Sequence, residues 1–481
     1  MNAAFLSVKH IVVLMLENRS FDHMLGFLYA DQGNRSPAGQ PFEGLTGDEK
    51  NTDGAGNDIP VFRIGSTDQD AYFMPGADPG EGYVATNMQL FGAASASSTQ
   101  EPSNGGFVRD FAQTLQWEAR KGWSILPGTA AKNIMGVFTP DMLPVLSGLA
   151  RGYAVCDHWY ASAPTETMPN RAFACAATSQ GHMDDATKTF TCPSIFGRLT
   201  DAGQSWSIYG YDTPPLTRHN FPDVTNAPES HFGLFSDFQV AAKDGTLPAF
   251  SFLEPSWSPT GNSQHPNYDV ALGEQLIYDV YQAASKGPNW NQTLLIVTYD
   301  EHGGCYDHVP PPANAVPPDS LAGEYGFDFR RFGVRVPAVL ISPWIEAGTV
   351  FRVPDGATPF DHTSILKTMQ TLWGLQALTA RDAAAPDLSG VFTRTAPRTD
   401  DPLAGITVPV SGAPYPGGDA PSHLQMIHAE LVSQLPVADE LGHTHAQLPS
   451  LKTSQEYTQY IWTRTEAWKA QRQRESGDAP N

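Results

Sequence analysis

Two apolar runs of strand length are each followed by side chains of types that commonly bind metal ions. Residues 11–16 are followed by Glu17 and Asn18, and a later run ends at Asp300 and Glu301. Short runs rich in branched apolar residues are typical of strands that are buried on both faces of a parallel sheet. In open α/β sheets, ligands bind beyond the carboxyl ends of the strands. We therefore expect these four side chains, which are distant in sequence, to meet in one site.

The four side chains have the chemistry of a divalent-cation site. Three carboxylates and one amide supply the hard oxygen ligands that such ions prefer. A buried cluster of negative charge is costly unless a cation neutralises it. The sequence thus predicts one or more divalent metal ions as cofactor. Their identity stays open, because Ca, Mg, Mn, Fe and Zn all accept carboxylate ligands.

Predicted strands alternate with helices along most of the chain. Beyond the first run, strands are predicted at residues 153–157, 205–210, 249–253, 293–299 and 335–342. Helical patterns are present at residues 140–149 and 269–285, and Ser20 can cap a short helix after the first strand. This alternation indicates a mostly parallel sheet with helices on both faces.

Two segments depart from this alternation. Residues 31–130 are rich in Gly, Ser, Asn and Pro and weakly periodic, so we predict a long loop or lid excursion over the sheet edge. Near the end of the chain, proline-rich loops lead to predicted helices at 422–434 and 454–472. We therefore predict one catalytic domain over residues 1–403 and a small helical extension over residues 404–481.

The charge balance restricts the partners. The formal net charge is −22, with 29 Lys and Arg against 51 Asp and Glu. Nucleic-acid binding is not expected, because it needs a basic surface. Strong docking on anionic membranes is disfavoured for the same reason. A zwitterionic phospholipid or a small phosphate ester remains compatible, and the oligomeric state is undetermined.

The sequence does not decide the compartment. No apolar stretch reaches the ~20 residues that span a bilayer. Residues 1–9 lack a charged segment followed by an apolar one, so we predict no signal peptide in this chain. Cys175 and Cys192 could form a disulfide, but four cysteines allow three pairings and the choice stays open.

Thr167 is the candidate nucleophile. It lies just before Pro169 and a helix-like segment, where free backbone N–H groups favour a phosphate. A metal ion that touches its oxygen would lower the pKa of the hydroxyl group and make it a nucleophile. The alternative is an ordinary helix N-cap without a catalytic role.

Several histidines and one further acid are candidates for proton transfer. His302, Asp307 and His308 follow the second acidic pair, whereas His265 and His362 lie in separate loops. A leaving alkoxide or a charged phosphoryl oxygen needs a donor of this kind. A histidine taken alone is more often structural or at the surface than catalytic.

Several blocks of this chain resemble the signature blocks of the phosphoesterase family. They are residues 17–23, 167–171, 298–304 and 333–337. Residues 378–382 and 397–400 also resemble the plant non-specific phospholipase C pattern. The likeness extends from about residue 8 to 403. That family includes bacterial phosphatidylcholine-hydrolysing and plant non-specific phospholipases C and some bacterial acid phosphatases.

The resemblance implies an alkaline-phosphatase-like three-layer α/β/α sandwich and a metal-assisted mechanism. Glu17, Asn18, Asp300 and Glu301 match the positions that hold metal and phosphate. Thr167 matches the nucleophile, which also touches the metal and forms a phospho-threonine intermediate. His265, Asp307, His308 and His362 match loop positions around the active site, and Arg171 is expected to brace the loop rather than to touch phosphate.

The activity implied by the resemblance is that of a phospholipase C, which cleaves phospholipids such as phosphatidylcholine to diacylglycerol and a phosphorylated head group. The alternative is an acid phosphatase that acts on soluble phosphomonoesters. The family implies a secreted or periplasmic location. A sulfatase is disfavoured because Thr167 cannot be oxidised to the required aldehyde. A serine hydrolase is disfavoured because no Gly-x-Ser-x-Gly motif occurs.

Overall fold

A mixed eight-stranded sheet is at the centre of the molecule. The computed structural model describes residues 2–97, 99–437 and 447–476. Its strands are β1 (His10–Leu16), β2 (Lys50–Thr52), β3 (Asp58–Pro60), β4 (Phe62–Ile64), β5 (Gly136–Phe138), β6 (Ala154–Val155), β7 (Trp159–Tyr160), β8 (Trp206–Gly210), β9 (Phe232–Leu234), β10 (Phe250–Leu253), β11 (Thr293–Tyr299), β12 (Ala338–Ile341), β13 (Thr349–Val350) and β14 (Phe360–Asp361). The central sheet has the order β13-β6-β12-β11-β1-β10-β8-β9. Only β12 runs antiparallel to its neighbours, so the sheet is mostly parallel, as predicted.

The two central strands explain the apolar runs in the sequence. Every residue of β11 is buried, and so is every residue of β1 after His10. A strand without an exposed face must be covered by helices on both sides, which is why these runs do not alternate with polar residues. Leu16 pairs with Tyr299 in the parallel register. The residues that follow the two strands therefore leave the sheet at the same edge.

Two sets of helices pack around the sheet. The helices are α1 (Ala3–Leu6), α2 (Phe21–Leu25), α3 (Tyr83–Phe91), α4 (Phe107–Lys121), α5 (Pro144–Gly152), α6 (Thr167–Ala176), α7 (Ile195–Asp201), α8 (Pro222–Thr225), α9 (Phe235–Asp244), α10 (Val270–Lys286), α11 (Thr363–Trp373), α12 (Ala380–Ala384), α13 (His423–Ser433) and α14 (Ser454–Ser476). Helix α10 contacts α5, α9 and the central strands, whereas α6 contacts α7 and α11. Ser20 caps α2, as predicted, by accepting a hydrogen bond from the His23 N–H. The predicted α/β fold class is confirmed.

The prediction of one continuous strand at residues 335–342 is wrong at its start. Strand β12 begins only at Ala338. Pro337 has no N–H group to donate to a neighbouring strand. Arg335, two residues earlier, lies outside the strand, and its side chain pairs with the buried carboxylates of Asp22 and Asp307.

The interpretation of residues 31–130 as a long loop is also wrong in part. The segment contains helices α3 and α4 and forms a second hydrophobic core, which includes Phe107 and Phe111. Glycines flank both ends of α4, and the C-terminal one, Gly122, has a positive φ of 73°. Glycine is favourable at such helix ends, so these two glycines do not indicate a loop.

The C-terminal helices pack against the rest of the protein. In α13, Leu424 and Ile427 share a buried cluster with Met168, the residue after the candidate nucleophile. In α14, Ile461 and Trp468 belong to the main core. Helix α14 extends to Ser476, beyond the predicted end at residue 472, and residues 477–481 of the predicted extension lie outside the described residues.

Two smaller observations bear on the expectations from sequence. All four cysteines are free thiols, so the candidate bridge between Cys175 and Cys192 is not formed. Within the described ranges, we find no helix with the length and hydropathy required to cross a bilayer.

Candidate metal and phosphate site

The carboxyl ends of β1 and β11 bring the predicted acidic side chains together. The backbone N–H of Asn18 donates to Asp300 Oδ1 at 3.0 Å, and the N–H of Glu301 donates to the same oxygen at 2.8 Å. Asn18 adopts a positive φ of 55°, a conformation that asparagine tolerates better than most residues. Glu17, Asn18, Asp300 and Glu301 are all fully buried. The predicted meeting of the two strand ends is therefore present in the structure.

Arg171 joins the two strand ends from helix α6. Its Nη2 donates to Glu17 Oε1 at 2.9 Å, and its Nε donates to Asp300 Oδ2 at 2.9 Å. Nη2 also lies 3.2 Å from the Met15 carbonyl oxygen. Arg171 thus fixes α6 relative to the sheet, and its geometry agrees with a bracing role.

Thr167 is the first residue of α6 and faces this cluster. Its hydroxyl group donates to Asn18 Oδ1 at 3.2 Å, and the side chain is almost fully buried. Glu166, not Thr167, occupies the N-cap position, so the N-cap alternative for Thr167 is wrong. Asn170 holds the preceding loop by donating to the carbonyl oxygens of Thr165 and Glu166 and accepting from the Ala163 N–H.

Two buried carboxylate oxygens in this cluster have no hydrogen-bond partner among the residues that the structure describes. They are Glu17 Oε2 and Glu301 Oε1. Burial, and then the negative charge of Asp300, raises the pKa of both glutamates well above the usual value. An unsatisfied buried oxygen is costly, and a bound cation would remove that cost. The unpaired oxygens of Glu17 and Glu301 therefore suit a divalent metal ion, and Asn18, Thr167 and Asp300 stay predicted ligands beside them.

Two of the candidate histidines contact the acidic residues of the site. His302 lies with Nδ1 3.1 Å from Glu301 Oε2 and Nε2 2.7 Å from Gln89 Oε1, so both ring nitrogens are occupied. Burial lowers the pKa of His302 to about 3. The Nε2 of His362 is 2.6 Å from the backbone oxygen of Asp300. These contacts orient the acidic residues.

His265 is next to a second group of acids. Its Nε2 lies 3.8 Å from Asp78 Oδ1, and its Nδ1 lies 3.1 Å from the Pro266 carbonyl oxygen. Burial lowers the pKa of His265 to about 3. The side chains of Asp78, Glu81 and His265 lie close enough together to hold one metal ion.

Asp307 and His308 belong to a separate cluster. His308 Nδ1 is 2.6 Å from Asp22 Oδ2, and Arg335 donates to Asp22 Oδ1 and to Asp307 Oδ1, each at 2.9 Å. Asp307 Oδ2 accepts from the Asp22 N–H. Every carboxylate oxygen here has a partner. In the described part of the chain, we find no hydrogen bond from Asp307 or His308 to Thr167 or to the strand-end acids, which are Glu17, Asp300 and Glu301.

Sequence reasoning missed several acids and one histidine near Thr167. They are Asp78, Glu81, Glu166, Asp185 and His423. Asn18 Nδ2 donates to Glu81 Oε2, and the Asp185 N–H donates to Glu166 Oε2. The only available signals were the position of Glu166 beside Thr167 and the Asp78-Pro-Gly-Glu81 run in the glycine-rich segment.

A cavity of about 720 Å³ opens beside this group. Its lining includes Glu81, which contacts Asn18, and Glu166, which precedes Thr167. The cavity therefore adjoins the candidate nucleophile.

Comparisons with known proteins identify the family. A sequence model of the Phosphoesterase family matches residues 8–376. Non-specific phospholipase C4 from Arabidopsis thaliana is 38% identical over 82% of this chain and 73% of its own length. Non-specific phospholipase C1 from the same plant is 37% identical over 94% of this chain and 84% of its own. Phospholipase C A from Mycobacterium tuberculosis is 28% identical over 83% of this chain and 81% of its own.

Among solved structures, one similar chain is a protein in the alkaline phosphatase superfamily from Vibrio parahaemolyticus. It covers 52% of this chain and 64% of its own length, with 16% identity and a TM-score of 0.32.

Proposed function

Because the chain belongs to the Phosphoesterase family and is a phosphoric ester hydrolase, we propose that it is a phospholipase C. It would cleave phospholipids such as phosphatidylcholine to diacylglycerol and a phosphorylated head group. The observation that carries this proposal is the buried Thr167 hydroxyl group, which lies 3.2 Å from Asn18 Oδ1 beside the unpaired glutamate oxygens. The names of the plant and mycobacterial relatives support the choice of phospholipid as substrate.

In this mechanism, Thr167 attacks the phosphorus atom. The Thr167 hydroxyl group gives up its proton to water, and the bond from Thr167 Oγ1 to phosphorus forms as the bond from phosphorus to the diacylglycerol oxygen breaks. Water then hydrolyses the phospho-threonine, which restores the hydroxyl group and releases the phosphorylated head group. A divalent cation bound by the predicted donor set would supply Lewis-acid chemistry and lower the pKa of the hydroxyl group. Arg171 holds Glu17 and Asp300 in place for this step, and Asn18 orients the hydroxyl group.

His265 and Asp78 are the pair that we assign to protonation of the leaving alkoxide. His265 Nε2 lies 3.8 Å from Asp78 Oδ1, and both side chains lie close to Glu81. Burial raises the pKa of Asp78 to about 8, so this carboxyl group carries a proton at neutral pH. A protonated acid close to the reacting group is what departure of an alkoxide requires.

Substitution of Thr167 tests this proposal. Thr167→Ala removes the nucleophile, and we expect kcat for phosphatidylcholine to fall by at least about 10³-fold while the fold is kept. Mass spectrometry of the rapidly quenched wild-type enzyme should detect the substrate-derived phosphoryl group on Thr167. The exposed Thr67→Ala is the matched control. Near-normal turnover by Thr167→Ala would overturn the mechanism.

The acid phosphatase remains the second candidate, because the same core can act on phosphomonoesters. The cavity of about 720 Å³ beside Thr167 favours an ester with a larger substituent. Rates on phosphatidylcholine and p-nitrophenyl phosphate, measured from acid to alkaline pH, separate the two functions.

A further inference from the structure

The predicted metal ligand Glu301 is held through one of its two carboxylate oxygens. Glu301 Oε2 accepts a hydrogen bond from the Gly303 N–H at 2.8 Å and lies 3.1 Å from His302 Nδ1. Glu301 Oε1 has no partner among the residues that the structure describes. The contacts at Oε2 therefore fix the direction in which the unpaired oxygen points.

Gln89 of helix α3 contacts the other ring nitrogen of His302. Gln89 Oε1 accepts a hydrogen bond from His302 Nε2 at 2.7 Å, and both side chains are buried. The orientation of the Gln89 amide group follows from its other contacts, because Gln89 Nε2 donates to the Gly80 carbonyl oxygen, which can only accept, and to Asp110 Oδ2. His302 is therefore held between Glu301 and Gln89.

Helix α4 and the turn after His302 support this arrangement. Asp110 Oδ2 accepts from Gln89 Nε2 at 2.8 Å, and the Phe107 ring packs edge to face on His302 with ring centroids 6.3 Å apart. A Cβ atom at Gly304 would lie only 3.2 Å from Gln89 Nε2, so the turn packs closely on this side chain. The segment that contains α3 and α4 thus contacts the metal site through a defined set of buried groups.

We propose that Gln89 is a positioning residue for the metal site, because it holds His302 against Glu301. The inference rests on the metal-assisted function proposed above. Hydrogen-bond partners of a metal-binding carboxylate orient it, and loss of such outer contacts typically lowers metal affinity about 10–100-fold. The alternative is a purely structural role, since Gln89 also joins α3 to α4 through Asp110.

The affinity for a metal ion tests this role without using turnover. EDTA-treated protein, freed of EDTA, is titrated calorimetrically with manganese chloride, because Mn²⁺ suits carboxylate ligands. Gln89→Met keeps the length of the side chain but offers His302 only a weak sulfur acceptor, and we expect the Kd for Mn²⁺ to rise about 10–100-fold. The matched control is Gln275→Met, an exposed helical glutamine that also donates to an aspartate, Asp279. An unchanged Kd in folded Gln89→Met would overturn the proposal.

A conservative variant separates positioning from stability. Gln89→Glu keeps an oxygen that accepts from His302 but loses the amide donor to Asp110. We therefore expect it to recover most of the Mn²⁺ affinity that Gln89→Met loses, even where urea unfolding shows a lower stability. If both variants lose affinity in proportion to their loss of stability, the role of Gln89 is purely structural and the proposal is wrong.

A double-mutant cycle tests whether Gln89 acts through His302. His302→Leu should itself weaken Mn²⁺ binding, and addition of Gln89→Met should then have little further effect, because both changes remove the same contact. Additive effects would contradict the proposal, since Gln89 would then act on the site by another route. Gln89→Asn, with a side chain one methylene shorter, takes the place of Gln89→Met if that variant does not fold.

Turnover of phosphatidylcholine, measured on the same proteins, separates this proposal from the proposed function. If Gln89→Met weakens Mn²⁺ binding through His302 but the wild-type protein does not cleave phosphatidylcholine, the proposed function fails and the role of Gln89 stands. If the wild-type protein is active in a manner that depends on Thr167 and Gln89→Met keeps its Mn²⁺ affinity, the proposed function stands and the role of Gln89 is wrong.

Discussion

Two buried clusters of acids in this molecule use arginine differently. In the Arg335 cluster, Arg335 and His308 pair with Asp22 and Asp307, and every carboxylate oxygen has a partner. In the strand-end cluster, Arg171 pairs with one oxygen each of Glu17 and Asp300 and leaves oxygens of Glu17 and Glu301 unpaired. The first cluster is complete without a ligand. The second leaves two oxygens free for the predicted cation, whereas the first uses all of its oxygens in contacts within the protein.

The largest expected effect is on catalysis through the strand-end cluster. Glu17→Gln removes a proposed metal ligand, and we expect kcat/KM to fall by at least about 10³-fold with loss of bound metal. The folded state should be retained, because the change also removes one of several like charges. Metal analysis and urea unfolding of the purified variant measure both results.

The exposed Glu346→Gln is the matched control for this change. If Glu17→Gln keeps its metal and activity, the strand-end cluster is a second structural network, and the contrast with the Arg335 cluster disappears.

A substitution in the Arg335 cluster should have the opposite signature. Arg335→Met removes the guanidinium group that pairs with the buried Asp22 and Asp307, and we expect the free energy of unfolding to fall by about 3–5 kcal/mol. The exposed Arg330→Met is the matched control and should change stability by less than about 0.5 kcal/mol. Urea denaturation followed by tryptophan fluorescence provides both values.

His308→Asn sharpens this comparison, because sequence motifs place His308 near the active site. On the structure, we expect its main effect to be on stability and its effect on kcat to be small. A large loss of kcat with unchanged stability would return His308 to the catalytic group and contradict the division between the clusters.

The meeting of the two strand ends could be predicted from sequence because it follows directly from local patterns. Glu17 and Asp300 end apolar runs, and parallel neighbours with Leu16 opposite Tyr299 must release them at one edge. The environment of Glu81 and His423 could not be predicted in this way. Both are placed by packing of the segment before α3 and of the C-terminal helices, which no local period encodes.

The position of His308 was misleading for a related reason. Only a few residues separate it from Glu301, and proximity in sequence suggested one site. Gly303 and Gly304 both have positive φ values, 58° and 63°, and turn the chain sharply there. A Cβ atom at Gly303 would lie 2.0 Å from the Asn18 carbonyl oxygen, so this turn depends on glycine. Beyond it, His308 pairs with Asp22 rather than with the strand-end acids.

The smallest expected effect is the pH dependence of stability after metal removal. Burial, and then Asp300, raises the pKa of Glu17 and Glu301 in the folded protein. Groups with a raised folded pKa favour the folded state when protonated, and this contribution is lost as pH rises through that pKa. In the Arg335 cluster, the pKa of Asp22 is lowered: burial opposes the shift, but His308 and Arg335 outweigh it. That contribution is present above the ordinary pKa and is lost as pH falls through the lowered one.

Between pH 8 and pH 5, Asp22 stays ionised, so the slope of stability against pH comes from acids with raised pKa values. They include the two glutamates, Asp78 with a pKa of about 8 and, in the Arg335 cluster, Asp307 with a pKa of about 6. We expect the Tm of EDTA-treated protein to rise by about 2 °C on lowering the pH, and metal at saturating concentration to reduce this slope. Glu17→Gln should also reduce the slope of the metal-free protein, whereas Glu346→Gln should not. If the slope is the same with and without metal, the unpaired glutamate oxygens do not face a cation, and the two clusters differ less than their hydrogen bonds indicate.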